Sequence, residues 1–255
     1  MSRSFFIGWD VGGWNCDRNA NSRDALVILD VDLHVVGKPW RGNLRETINV
    51  AATSAEWTAR LFRLCGSETA ADASFTLAID TPLGFPSALL ALASELQPVG
   101  PLGDSSANPY LYRHTERLLF RGRRGPLSAV KDMIGSQATK GMHVLAQFAP
   151  RVERCGVWTD GAGLRVIETY PAACRRAEED SKALDALAPL SHDDLIDARV
   201  CALVACLFAT TQGTFDEPTD DVPSREGWIW VPRNGKLQEL LSAATRLAGS
   251  EGAAA

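Results

Sequence analysis

The chain changes hydrophobic period several times, and those changes outline its architecture. Phe5, Phe6 and Ile7 form a short apolar run that ends at Asp10, and Gly12-Gly13 turns the chain. Residues 25–31 form a second apolar run. Asp32 fits a turn, and residues 33–37 read as a third strand returning antiparallel. Thr53-Ser54-Ala55-Glu56 has capping-box spacing, and Trp57, Leu61 and Leu64 recur at helical spacing before Gly66. Residues 75–80 read as a fourth strand, and the next helix is expected from Ser87 to Leu96.

Residues 97–112 are rich in Pro, Gly, Ser and Asn, a length and composition typical of lids and mobile loops. Helical segments are expected near 113–120 and 136–148. Residues 157–160 and 164–169 flank Gly161-Ala162-Gly163 as a hairpin. A helical stretch is expected from Pro171 to about Leu187. The clearest helix is 192–211, where Ala198, Ala202, Ala205 and Ala209 form a stripe of small residues suited to lying close on a sheet. A short strand at 228–231 and a helix at 236–248 close the chain, with a disordered tail expected at 249–255. Hairpin-linked strands followed by alternating helix and strand predict an α/β fold. Its sheet is mixed, a three-stranded antiparallel meander plus parallel strands, flanked by helices. One domain is expected over 1–248, with an insertion around 97–150.

Composition narrows the classes. No run approaches the roughly 20 apolar residues of a membrane helix, and the apolar start is too short for a signal peptide, so a cytoplasmic, non-membrane protein is expected. The six cysteines show no Cys-x-x-Cys pair and are expected to be reduced. Net charge is −5, without the basic surplus of a tight non-specific nucleic-acid binder. The charge is uneven, however. Between 113 and 131, Arg113, Arg117, Arg121, Arg123, Arg124 and Lys131 face one acid, Glu116. This reads either as a solvated face or as a phosphate-gripping segment.

Asp10 and Asp80 each end an apolar strand, and ligand sites of open α/β sheets lie beyond the carboxyl ends of strands. Asp194 and Asp197 lie three apart on one helix face. Any one of these aspartates alone reads as a turn or cap residue. Together they predict an acidic pocket for Mg²⁺ or Mn²⁺, since hard cations match oxygen ligands and remove the repulsion among carboxylates. Glu168 and His192 are further candidates: Glu168 as an acid or an arginine partner, His192 as a proton shuttle or a helix-start residue. Arg113 either pairs locally with Glu116 or holds a substrate phosphate, with Arg121, Arg123, Arg124 and Lys131 as companions.

Several segments resemble the DUF429 family of predicted nucleases, in the RNase H-like superfamily. They are Ile7-Gly8-Trp9-Asp10, Ala78-Ile79-Asp80-Thr81-Pro82-Leu83-Gly84-Phe85-Pro86, Tyr112-Arg113-His114-Thr115-Glu116, Ile167-Glu168-Thr169-Tyr170-Pro171-Ala172 and Asp193-Asp194-Leu195-Ile196-Asp197-Ala198. The last also resembles the closing helix of Holliday-junction resolvases of the RuvC type. The resemblance implies an RNase H-like fold and a metal-dependent nuclease or phosphodiesterase acting on nucleic acid, with Asp10, Asp80, Asp194 and Asp197 as metal ligands. Asp10-Val11-Gly12-Gly13 also resembles the first phosphate loop of actin-like ATPases, so a small-molecule phosphotransferase is the alternative. A non-catalytic binding module of the same fold is a third reading.

Overall fold

A computed structural model describes residues 3–70, 72–119, 127–132 and 134–252. Its centre is a seven-stranded mixed sheet. The strands are β1 (Ser4–Asp10), β2 (Asp24–Leu29), β3 (Trp40–Gly42), β4 (Ser74–Asp80), β5 (Arg151–Arg154), β6 (Val157–Thr159) and β7 (Leu164–Glu168). They lie in the order β3-β2-β1-β4-β7-β6-β5. The first three form an antiparallel meander, β1, β4 and β7 run parallel, and β6 and β5 return antiparallel. The mixed sheet expected from the sequence is therefore present.

The pleat of each strand sends successive side chains into two apolar layers. Phe6, Ala78 and Ile167 face α8 (Asp193–Thr210), whereas Ile7, Trp9, Leu77, Ile79 and Val166 face α2 (Ser54–Leu64) and α5 (Gly135–Phe148). The helix α8 is apolar on nearly every side because α9 (Lys236–Gly252) packs on it from without while the sheet packs within. Three members of its alanine stripe, Ala198, Ala202 and Ala205, are fully buried; Ala209 is exposed. A Cβ at Gly8 would run into the backbone of Ala198 and Ala202, so the helix touches β1 main chain to main chain. Gly8→Ala is expected to cost about 3 kcal/mol or more by forcing that contact apart. A shift in the urea midpoint measures it, and an unchanged midpoint would contradict the packing described.

Several boundaries differ from expectation for physical reasons. Residues 33–37 are not a strand. The Asp30 carboxylate accepts the N–H groups of Asp32 and His34 at 3.0 and 2.9 Å, and Leu33 takes a left-handed φ of 63°. That local turn leaves only a Leu29–Val35 bridge, and the sheet resumes at β3. Residues 228–231 contribute a bridge from Ile229 to Glu168 rather than a strand. The stretch after Pro171 breaks at Arg175 into α6 (Pro171–Cys174) and α7 (Glu178–Asp185). The short α1 (Arg45–Val50) and the exposed β5 were not expected. Near the predicted positions lie α3 (Ser87–Glu95) and α4 (His114–Leu119). Ser87 does not cap α3 with its side chain; its N–H goes to Glu226 at 2.8 Å. The helix α9 continues through 249–252, where a tail was expected. Among the described residues no helix is long and apolar enough to cross a membrane, and the six cysteines are unpaired.

Candidate active site

Asp10 and Asp80 are the last residues of two adjacent parallel strands and are direct register partners. Register partners on neighbouring strands project to the same side, about 4.8 Å apart across the sheet. Both belong to the face covered by α8, and the first turns of α8 bring Asp197 to them. The electrostatics show the convergence. Burial raises the Asp10 carboxyl well above the usual range, and Asp80, Asp197, Asp194 and Asp24 push it further. Burial likewise raises Asp80, with Asp197 and Glu168 adding. Asp197 is pushed up to about 6 by burial, opposed by Arg175 and reinforced by Asp193 and Asp194.

Among the described residues no group donates a hydrogen bond to the side chains of Asp10, Asp80 or Asp197, and none forms an ion pair with them. Asp10 and Asp80, half-buried at the cleft, have no cation paired with them among the described residues, and Asp197 feels Arg175 only through space, an arrangement that costs stability unless something else supplies the charge. A cleft of about 200 Å³ opens on Asp10 and Asp80, walled by Val11, Pro82, Gln137 and Tyr170 among others. Thr81 also lines it; that side chain is buried and its Oγ1 has no partner. An all-oxygen donor set without a cation, beside an orphaned hydroxyl, fits a hard divalent ion.

Asp10, Asp80 and Asp197 do not, as a trio, bring carboxylate oxygens within 4.8 Å of one another. The group of three that does, among the described residues, is Asp30, Asp32 and His34. This group sits in the turn after β2, at the end of the sheet opposite Asp10, because β2 runs antiparallel to β1. Its geometry is that of the turn itself, with Asp30 accepting two backbone N–H groups.

The other predicted residues are placed less as expected. Asp194 is committed: its Oδ2 accepts the Arg23 N–H at 2.9 Å and Arg41 Nε at 2.7 Å. It ties the β3 edge to α8 and reaches Asp10 only through space. His192 is the N-cap of α8, its Nδ1 accepting the Asp194 N–H at 3.1 Å, which makes it a helix-start residue. Arg113 is not a phosphate ligand. It is buried, its guanidinium donates four hydrogen bonds to Glu116, Glu168 and the Glu226 carbonyl, and its Nη2 also lies 2.9 Å from the Glu116 carboxylate. Glu168 is correspondingly the arginine's partner: Arg113 grips it at 2.6 and 2.8 Å, and the Leu83 N–H adds a third bond at 2.8 Å. Lys131 is exposed, over the Tyr112 ring and 3.7 Å from Asp132. Arg121, Arg123 and Arg124 lie outside the described residues.

Sequence reasoning missed the polar network behind the site. Asp24 and Lys140 are fully buried and ion-paired. Asp24 also accepts the N–H groups of Gly12 and Leu44 at 2.9 and 2.6 Å and Trp9 Nε1 at 3.1 Å. Lys140 donates to the carbonyls of Gly12 and Gly13 at 3.2 and 3.4 Å. Together they clamp the loop that follows Asp10. A signal existed: Lys140 lies four and eight residues before Val144 and Phe148, on the buried stripe of α5. Glu226 was also missed. Its carboxylate accepts the N–H groups of Ser87 and His114.

No family model, no curated protein and no solved structure matches the chain.

Proposed function

We propose that the protein is a divalent-metal-dependent phosphodiesterase acting on nucleic acid, built on an RNase H-like sheet of the kind the DUF429 resemblance implies. The observation that carries the reading is the register pairing of Asp10 with Asp80 at the carboxyl ends of β1 and β4, with no cation paired to them among the described residues. The antiparallel meander continued by parallel strands supports it. Asp10, Asp80 and Asp197 would hold the ion, which would neutralise developing phosphoryl charge and activate water. Asp194 supports the site from Arg41, and Arg113 holds Glu168 and the Leu83 turn that follows Asp80. The phosphate-loop alternative is less well supported. The Gly12 N–H is spent on Asp24 and the carbonyls of Gly12 and Gly13 on Lys140, so this loop is committed inward.

Mn²⁺ is expected to raise the melting temperature, since an ion bound only by the folded state contributes about 2.7 kcal/mol at a hundredfold excess over Kd. Mn²⁺-dependent cleavage of a phosphodiester is expected alongside. A melting curve indifferent to millimolar Mn²⁺ and Mg²⁺ would end the proposal.

A further inference from the structure

The basic segment at 113–131 reads from sequence as either a solvated face or a grip on phosphate, and the described part of the cleft has no basic wall. No lysine or arginine lines it. Several described cations of this region are paired elsewhere: Arg113 with Glu116 and Glu168, Lys140 with Asp24, Arg41 with Asp194, and Arg175 with Asp185. What faces the cleft instead is a set of neutral polar groups, Ser22, Thr81, Gln137 and Tyr170. The side chains of Ser22, Gln137 and Tyr170 form no hydrogen bond within the described structure, and the Thr81 hydroxyl is buried without one. Leaving a buried donor unmade costs about 1–3 kcal/mol, so the orphaned Thr81 hydroxyl is better explained by a ligand than by the fold, and the half-buried Ser22, Gln137 and Tyr170 stand beside it in the same cleft.

The Tyr170 hydroxyl is placed to donate. It begins α6 directly after β7, is half-buried, and lies near Asp80 and Asp197. The space is small. At about 30 Å³ per water, a cleft of about 200 Å³ holds six or seven waters, enough for a phosphate with part of its sugar or base. It falls below the roughly 300–1,000 Å³ of sites that enclose a whole drug-sized ligand.

Resting on the phosphodiesterase reading, we propose that the cleft takes one nucleotide unit at a time, its phosphate held by neutral donors, Tyr170 and Gln137 foremost. The alternative mode is binding of a long tract through lysine and arginine side chains. The two modes differ in salt response, because affinity falls with salt in proportion to the number of phosphates neutralised by side-chain cations.

The probe is thymidine 5′-monophosphate, titrated calorimetrically into the full chain with Mn²⁺ present. Its Kd is expected to change less than about threefold between 50 and 200 mM NaCl. Tyr170→Phe and Gln137→Ala are each expected to weaken it about tenfold, the scale of one lost hydrogen bond to a charged group. Neither side chain holds the fold through a hydrogen bond, so both variants should melt with the wild type. Absence of binding, affinity untouched by both substitutions, or a loss of tenfold or more with salt would each overturn the assignment. The thymidine dinucleotide TpT separates this from the underlying reading. Binding of the monophosphate without cleavage of any phosphodiester would sink the nuclease and leave the cleft. Cleavage of a dT20 strand with a steep salt dependence, and no turnover of TpT, would do the reverse.

Discussion

Asp10→Asn is expected to do two opposite things: abolish Mn²⁺-dependent cleavage and stabilise the metal-free protein. Asp10 is where the electrostatic strain is concentrated, with four other carboxylates pushing on it after burial has already raised it. Asparagine keeps the shape and removes the charge. A metal site losing a ligand forfeits several kcal/mol of charge stabilisation, which translates into a rate loss on the order of a thousandfold. The stability effect follows from linkage. Asp10, Asp80 and Asp197 titrate higher in the folded chain than in the unfolded one, so the folded state binds more protons. Their contribution is therefore fully present below the unfolded carboxyl range, near pH 4, and is lost as pH rises through the folded values. For Asp197 that window runs from about 4 to about 6. The metal-free wild type should lose stability across and beyond it, and Asp10→Asn should show a shallower decline and a higher melting temperature at pH 8. Mn²⁺ should stabilise the wild type at pH 8 and leave the variant unmoved. A variant that still gains the full Mn²⁺ shift, or that cleaves at the wild-type rate, would remove Asp10 from the site.

The parts of this site that could be read from sequence are those set by local pattern. An apolar run ending in Asp fixes where a strand stops, and two such runs, with the rest of the meander and two helices between them, place Asp10 beside Asp80. The alanine spacing of α8 likewise indicates a helix lying flat on the sheet, and Gly8 shows how closely it lies. What pattern could not reveal is which charges find each other across the fold. Arg113 and Glu168 are 55 residues apart, and Asp24 and Lys140 are 116 apart. Nothing local distinguishes a guanidinium that faces solvent from one satisfied by three buried partners. The third strand failed for a different reason. Leu33 and Val35 alternate with polar residues as a strand would, yet the Asp30 carboxylate competes for the same backbone N–H groups and wins.

Lys140→Met should be the most destabilising single change in the clamp behind the site, costing about 3–5 kcal/mol, the penalty for leaving a buried partner charge uncompensated. Asp24 would remain fully buried, stripped of the cation it pairs with among the described residues and holding Gly12, Leu44 and Trp9 through their N–H groups. Burial already raises that carboxyl, with Lys140 the largest opposing influence, so its removal favours protonation or an opened loop. The Gly12 and Gly13 carbonyls lose their donor in either case. Because this loop leaves directly from Asp10, the loss should reach the site, weakening the Mn²⁺ response as well as the fold. The double variant Asp24→Asn, Lys140→Met tests the cause. Replacing a buried pair by neutral groups is often close to neutral in stability, whereas breaking it is not. Urea unfolding of the wild type, both single variants and the double variant should show the double variant recovering much of the loss. A double variant as unstable as the sum of the singles would mean that Lys140 acts through packing alone, and that the loop after Asp10 is held by something other than this ion pair.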